Sequence, residues 1–441
     1  MTPSTKDPRL LQDLIELLRI PSISTDGGDE KALRQAAEWL VERVHRSGGE
    51  ASLFETSRNP IVVGDLKSKD ETAPSVIIYG HYDVQAIGDP SLWTTGPFEP
   101  EIRGDRIYAR GASDDKGNFL PLLHAACDLF ESGELPVNVR IFIEGEEERG
   151  SASAIEWVEQ DKRGADCCII YDSGSFSTDA PAITIGTRGV VQVRVRVQAA
   201  ERDMHSGLYG GSVYNSLHVL IRMLNEVLPG PDGVLRDELR SGITPITEAE
   251  RTSWNDLPPG DLVIQAGGGR ALSDNSGTVY YDRNWGDASL DVNKIAGGEA
   301  RTVIPAEASA FLTERVAPGQ DAQEIGAAIE RILRDAAPDS TDVEIEWEGV
   351  DASFFDPEEP ALKIARQAVE KATGKNPILM RLGGTLPIMA PLSRREIPTI
   401  LTGFATAIDA FHGPDESYRI EALDMGADTA RELLLGLAAL R

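Results

Sequence analysis

The stretch Ser75-Val76-Ile77-Ile78-Tyr79-Gly80-His81-Tyr82-Asp83 decides the fold. Its first five residues form a short apolar run without polar alternation, the pattern of a strand buried on both faces. Strands of that kind belong to parallel sheets covered by helices, and the same texture recurs at 137–143 and 167–171. Helical periodicity fills the intervals. Leu10, Leu11, Leu14, Ile15, Leu17 and Leu18 make one stripe that stops before Pro21, and a second helix is expected over 30–45. Further helices are expected over 118–130 and 154–158. Alternating strand and helix of this kind specifies an α/β domain with a mostly parallel sheet.

The texture changes near Gly186. Val191, Val193, Val195 and Val197 alternate with polar residues, so this strand has one wet face. A helix over 213–227, a loop-rich stretch with the glycine run 267–269, a strand over 309–316, a helix over 322–336 and a strand over 343–347 follow. The order β-α-β-β-α-β resembles a ferredoxin-like module. After Pro357 the first texture resumes, with helices over 361–371 and 420–440 around a strand at 398–401. The expected architecture is an α/β catalytic domain, 1–186 and 353–441, interrupted by an inserted α+β domain, 187–352. The glycine run lacks a following Lys-Ser/Thr pair, so a phosphate loop is not expected.

Composition removes several function classes. The chain has 441 residues, 41% of them hydrophobic, enough for more than one core and too many for a disordered protein. Its 72 acidic and 43 basic residues leave a net charge of −29, which phosphate backbones and anionic lipid repel. No nucleic-acid or membrane partner is expected. Cys127, Cys167 and Cys168 offer neither a disulfide framework nor a thiolate zinc site, which suits a reducing compartment. The polar residues 1–7 lead straight into an amphipathic stretch, and a cytoplasmic location is the expectation.

Chemistry gathers where the buried strands end. The first ends in His81 and Asp83, the second in Glu144, Glu146, Glu147 and Glu148, the third in Asp172. Ligands of open α/β sheets bind at the carboxyl ends of strands, so these side chains share one crevice. Converging carboxylates repel one another, and a divalent metal relieves that repulsion. Imidazole with carboxylate suits zinc or a related ion better than calcium or magnesium. Taken singly, each feature has a plain structural reading. His81 beside Asp83 could be a core pair, 146–148 a solvated loop, and 110–117 a turn that caps a helix. Their shared position at strand ends and at a helix start favours a site.

His81-x-Asp83-Val84, the segment Arg110-Gly-x-x-Asp114-Asp115-Lys116-Gly117, Glu144-Gly-x-Glu147-Glu148-x-Gly150-Ser151 and the late Phe411-His412 resemble the two-zinc metallopeptidases related to carnosinase, bacterial dipeptidases, aminoacylase and carboxypeptidase G. Order and spacing match over essentially the whole chain. The resemblance implies that His81 and Asp172 hold one zinc, Glu148 and His412 the other, and that Asp114 bridges them. It also implies a cis peptide between Asp114 and Asp115. Glu147 would be the general base, chosen over Glu146 by the register of the motif, and Asp83 would orient His81. The two ions, with manganese or cobalt as possible replacements, would bind a hydroxide that attacks the scissile carbonyl.

The resemblance further assigns substrate contacts. His205 would reach across a homodimer formed by the inserted lid domain, and Thr302 and Arg315 would contact the substrate, with Arg315 gripping a terminal carboxylate. Gly383, Gly384 and Thr385 would bring backbone amides to it. Tyr209, Asn215 and Glu416 are further candidates. Asp172, Trp93 and Pro97-Phe98 resemble the dipeptidase branch, whereas Ala86 and Arg149 depart from it. Dipeptide hydrolysis on a small peptide with a free carboxylate is therefore expected. An N-acyl-amino-acid amidohydrolase is the alternative, and a non-catalytic binding protein would be expected to have lost Glu147 or a metal ligand. The changes of texture near 186 and 352 suggest hinges for lid closure.

Overall fold

The computed structural model describes residues 5–384 and 386–440. The stretch read first becomes the strand Ser75–His81, which lies in the middle of a nine-stranded sheet. It runs parallel to Asn138–Glu144 on one side and to Cys167–Tyr171 on the other, and Cys167–Tyr171 runs parallel to Thr399–Gly403. Burial on both faces explains their unbroken apolar runs. Antiparallel strands extend the sheet outward, through Ile61–Leu66 and Glu50–Phe54 at one side and Ala182–Thr187 and Ser353–Phe354 at the other. Ile378–Leu382 pairs in parallel with Ala182–Thr187.

Helices Pro8–Leu18, Lys116–Glu131, Pro360–Thr373 and Ile420–Gly436 cover this sheet, and Leu14, Phe119, Ile141, Ile169 and Leu423 belong to one continuous core. The last helix is shorter than its periodicity suggested, passing into a 3-10 turn over Leu437–Ala439.

After Thr187 the chain leaves this sheet, and it returns at Ser353. Between them lies a four-stranded antiparallel sheet, in the order Ser289–Gly297, Glu307–Val316, Gly189–Gln198, Asp342–Val350. With helices Ser216–Val227 and Ala322–Asp335 the elements follow β-α-β-β-α-β, the ferredoxin-like order read from the sequence. Val193, Leu220, Leu312 and Ile329 centre a second apolar core. The helix expected over 213–227 starts at Ser216 because the Asn215 side chain accepts from the amides of Leu217 and His218. Asn215 is thus a helix cap, worth about 1 kcal/mol.

The stretch 228–288 is less irregular than its composition suggested, holding short helices at Glu248–Ser253, Gly260–Ala266 and Tyr280–Gly286. It is fastened to the larger sheet. Fully buried Arg381 pairs with fully buried Glu250 at 2.6 Å and donates to the carbonyls of Thr244 and Pro245. The Trp254 indole donates to the Leu379 carbonyl at 2.7 Å. The same stretch also holds the smaller sheet, through a bond from the Thr244 amide to the Pro318 carbonyl and another from Gln320 to the Leu239 carbonyl.

Candidate metal centre

His81 closes its strand wholly buried, with Nε2 3.1 Å from Asp114 Oδ1 and 3.7 Å from Asp172 Oδ2. The other oxygen of Asp114 lies 3.0 Å from His412 Nε2, and the same nitrogen is 3.3 Å from Glu148 Oε2. His81, Asp114 and Asp172 form one group of candidate ligands, and Asp114, Glu148 and His412 a second; within each, the ligand atoms lie within 4.8 Å of one another. Asp114 belongs to both. Five residues spread over 332 positions of sequence, 81 to 412, thus converge, because Asp172 and His81 end neighbouring parallel strands, the loops after Glu144 and Gly403 bring in Glu148 and His412, and Asp114 stands just before the helix Lys116–Glu131.

The arrangement is short of cations. One oxygen each of Asp172 and Glu148 is buried with no hydrogen-bond partner among the described residues. Burial and the neighbouring acids push the Asp172 and Glu147 carboxyls well above the usual carboxylate range, though His81 counteracts them. Burial opposes ionisation of Asp114 too, but hydrogen bonds from His412 and His81 outweigh it and hold this carboxyl low. Hydrogen bonds to Asp114 and Glu148 raise the His412 ring to about 10. Orphaned carboxylate oxygens in two groups that each include an imidazole nitrogen fit the donor set of a pair of divalent cations.

The supporting residues explain how the ligands hold their places. Buried Asp83 accepts from the Glu147 amide at 3.3 Å, the Glu148 amide at 3.2 Å and the Ser24 hydroxyl at 2.5 Å. Its carboxylate is 3.4 Å from His81 Nδ1, whereas its own carbonyl is nearer, at 3.0 Å. Asp83 therefore fixes the ring mainly through its backbone and the glutamate loop through its side chain. Glu146 is buried and turned away, accepting from the Asn59 amide and the Ser153 hydroxyl. Glu147 has no comparable engagement among the described residues and stands close enough to His81, Asp172 and Glu148 to feel their charges.

Two further buried residues, Glu416 and Lys116, support the segment 110–117. Glu416 is fully buried and takes Arg110 and the Gly111 amide on one oxygen, and the amides of Ser113 and Asp114 on the other. It builds the turn that presents Asp114, and only its place four residues beyond His412 hinted at this. Lys116, also buried, donates to the carbonyls of Leu17 and Ile20, and burial lowers it to about 7. The peptide between Asp114 and Asp115 is cis, as expected.

The remaining candidates form a separate set. His205 is exposed and pairs in a short ladder with Val303, while the Ser206 amide donates to the Thr302 carbonyl. Arg315 stands in register with Val190 and Ser289, beside the buried Arg188. Gly383 and Gly384 follow the strand Ile378–Leu382; a side chain on Gly383 would meet Arg188 at 3.2 Å, and Gly384 faces open space. Thr385 lies outside the described residues. Tyr209 is exposed at the end of a short helix.

Comparison with known proteins follows the same lines. The cysteinylglycine-S-conjugate dipeptidase of Corynebacterium striatum is 27% identical over 450 residues, covering 99% of this chain and 96% of its own. The human Beta-Ala-His dipeptidase is 29% identical over 346 residues, covering 75% and 68%. An M20-family metallo-carboxypeptidase from Sulfolobus solfataricus superposes with a TM-score of 0.81 at 26% identity, over 97% of this chain and 99% of that one. The family model for peptidase family M20/M25/M40 matches residues 77–436, which take in all five convergent ligands. With the fold, the ligand groups and this match in agreement, the chain belongs to peptidase family M20/M25/M40.

Proposed function

We propose that the protein is a metal-dependent dipeptidase. The observation that carries this reading is Asp114, shared between two groups of imidazole and carboxylate donors with the free acid Glu147 alongside. The dipeptidases among its relatives support the substrate class. In this reading His81 and Asp172 hold one ion, Glu148 and His412 the other, and Asp114 both. Zinc is the proposed metal, since the donor set mixes imidazole with carboxylate; manganese and cobalt accept the same donors. Two such ions, when bound, supply Lewis acidity to a scissile carbonyl and lower the pKa of water.

The chain's own residues do the rest. Glu147, kept from ionising by burial and by its acidic neighbours, becomes the base once cations neutralise them. It takes the proton of the attacking water and delivers it to the leaving amine. Arg315 grips the terminal carboxylate as a bidentate partner, Thr302 and the amides of Gly383, Gly384 and Thr385 position the peptide, and Asp83 holds His81 in line.

The smaller module, 187–352, is the proposed lid and dimerisation domain, and 1–186 with 353–441 the catalytic domain. His205 then serves the partner's site by stabilising the oxyanion. Its exposure in one protomer fits a group that acts on a second. The cysteines are free and buried, in keeping with a reducing cytoplasm. No described helix is long and apolar enough to cross a membrane.

The test compares a free dipeptide with its N-acetylated form, using protein stripped of metal and reloaded with zinc. Cleavage of the free dipeptide alone supports the reading. Preference for the acetylated compound would replace it with the amidohydrolase alternative.

A further inference from the structure

A cavity of about 330 Å³ opens beside the His81–Asp114–Asp172 group, with Asp114 and Asp172 at its edge. Met380, Leu382, Ala405, Ala407 and Phe411 supply its apolar wall, and Phe411 is half exposed there. Polar residues also line it, but each is engaged elsewhere. Asn118 donates to the Ser173 carbonyl and accepts from the Phe404 amide and the Tyr418 hydroxyl. The hydroxyl of Ser173 bonds Thr184, that of Ser175 the Gly403 carbonyl, and those of Thr406 and Ser113 reach Asp409. Apart from the two candidate ligand acids, no charged side chain among the described residues lines the cavity. Its surface therefore offers a guest apolar contact and little else.

We infer that this cavity receives the side chain of the substrate's amino-terminal residue and selects an apolar one of leucine to phenylalanine size. The inference rests on the dipeptidase reading and names its substrate class. A scissile carbonyl presented to the donors at Asp114 and Asp172 lies one bond from the α-carbon that bears this side chain. This cavity adjoins those two acids, while in the proposed reading Arg315 holds the leaving residue's carboxylate. Size agrees, because an apolar cavity of roughly 150 Å³ already holds a benzene ring. A lysine or glutamate side chain would lose its hydration without finding a counter-charge beyond the ligand acids.

The experiment measures kcat/KM of the zinc-loaded protein on Gly-Ala, Leu-Ala, Phe-Ala, Lys-Ala and Glu-Ala. Leu-Ala and Phe-Ala should exceed the other three by roughly 10- to 100-fold, the discrimination an apolar pocket gives. Ala407→Phe, at an exposed position on the wall, should lower the Phe-Ala to Gly-Ala ratio about tenfold. Met380→Ala should raise the Trp-Ala to Leu-Ala ratio. Gly-, Lys- or Glu-Ala cleaved as well as Leu-Ala, or ratios unmoved in both variants, would overturn the inference and leave a dipeptidase standing. Failure on every dipeptide would instead remove the dipeptidase reading itself.

Discussion

Adjacent acids can have opposite employments, and Glu146 and Glu147 are such a pair. Glu146 is bound into its loop by Asn59 and Ser153, so Glu146→Ala should lower the unfolding temperature while sparing part of the activity. Glu147→Gln should do the reverse, cutting kcat by about 10³-fold at unchanged unfolding temperature and metal content. Equal losses in both variants would sink the proposed division of labour. Glu416 makes a sharper case. Glu416→Ala leaves Arg110, itself only 1% exposed, without its carboxylate, at a cost of about 3–5 kcal/mol. It also frees the turn that presents Asp114, so metal stoichiometry by elemental analysis should fall with stability. The candidate ligands were legible because His81, Asp114, Glu148 and His412 sit in local motifs and Asp172 ends a buried apolar strand. Glu416 was singled out only as a further site candidate, and its scaffold role was not legible, because a buried acid that serves backbone amides looks in sequence like any surface glutamate.

Elements were readable where a period was sustained. Ser75–His81 and Cys167–Tyr171 announce themselves by unbroken apolar runs, and Gly189–Gln198 by alternation. Glu50–Phe54 lies at the sheet's margin with no fully buried residue, and Ala182–Thr187 and Ile61–Leu66 each contain a glycine, so these strands gave weaker signals. Ile378–Leu382 was hidden by Arg381, whose charge reads as a break until Glu250 is placed against it.

Strand Glu307–Val316 carries a different oddity, Glu314, on its core-facing side with both oxygens unpartnered among the described residues. Burial alone raises its carboxyl to about 8 from the usual 4.5. The folded form then keeps its proton over a range in which the unfolded chain has released it. Stability contributed by this group is therefore lost as pH rises from about 4.5 to about 8. Glu314→Gln should flatten that decline, its melting temperature exceeding the wild type's by several degrees at pH 8.5 and little at pH 4.5. A parallel pH profile for the two proteins would show that the Glu314 carboxyl titrates alike in the folded and unfolded chains.

At the scale of the whole molecule, the proposed exchange of His205 between protomers has a direct signature. His205→Ala and Glu147→Gln proteins, each inactive, should regain roughly a quarter of wild-type activity when their subunits are mixed and exchanged. Only the mixed dimer then contains one site with both groups. No recovery, with exchange verified by mass spectrometry, would return His205 to its own protomer.

The fastening of the stretch 228–288 bears on movement. The chain crosses between the two sheets after Thr187 and before Ser353, and two crossings alone would let the smaller module swing like a door. The Arg381–Glu250 pair and the Trp254 bond rivet the leaf to the frame at a third place. Drawing that rivet would break a buried ion pair and three hydrogen bonds to carbonyls at once, several kcal/mol against a thermal energy of about 0.6 kcal/mol. In the proposed reading that fastening persists through turnover, and any sway of the smaller sheet is taken up as flexure within the stretch that carries it, beside the hinges expected near 186 and 352.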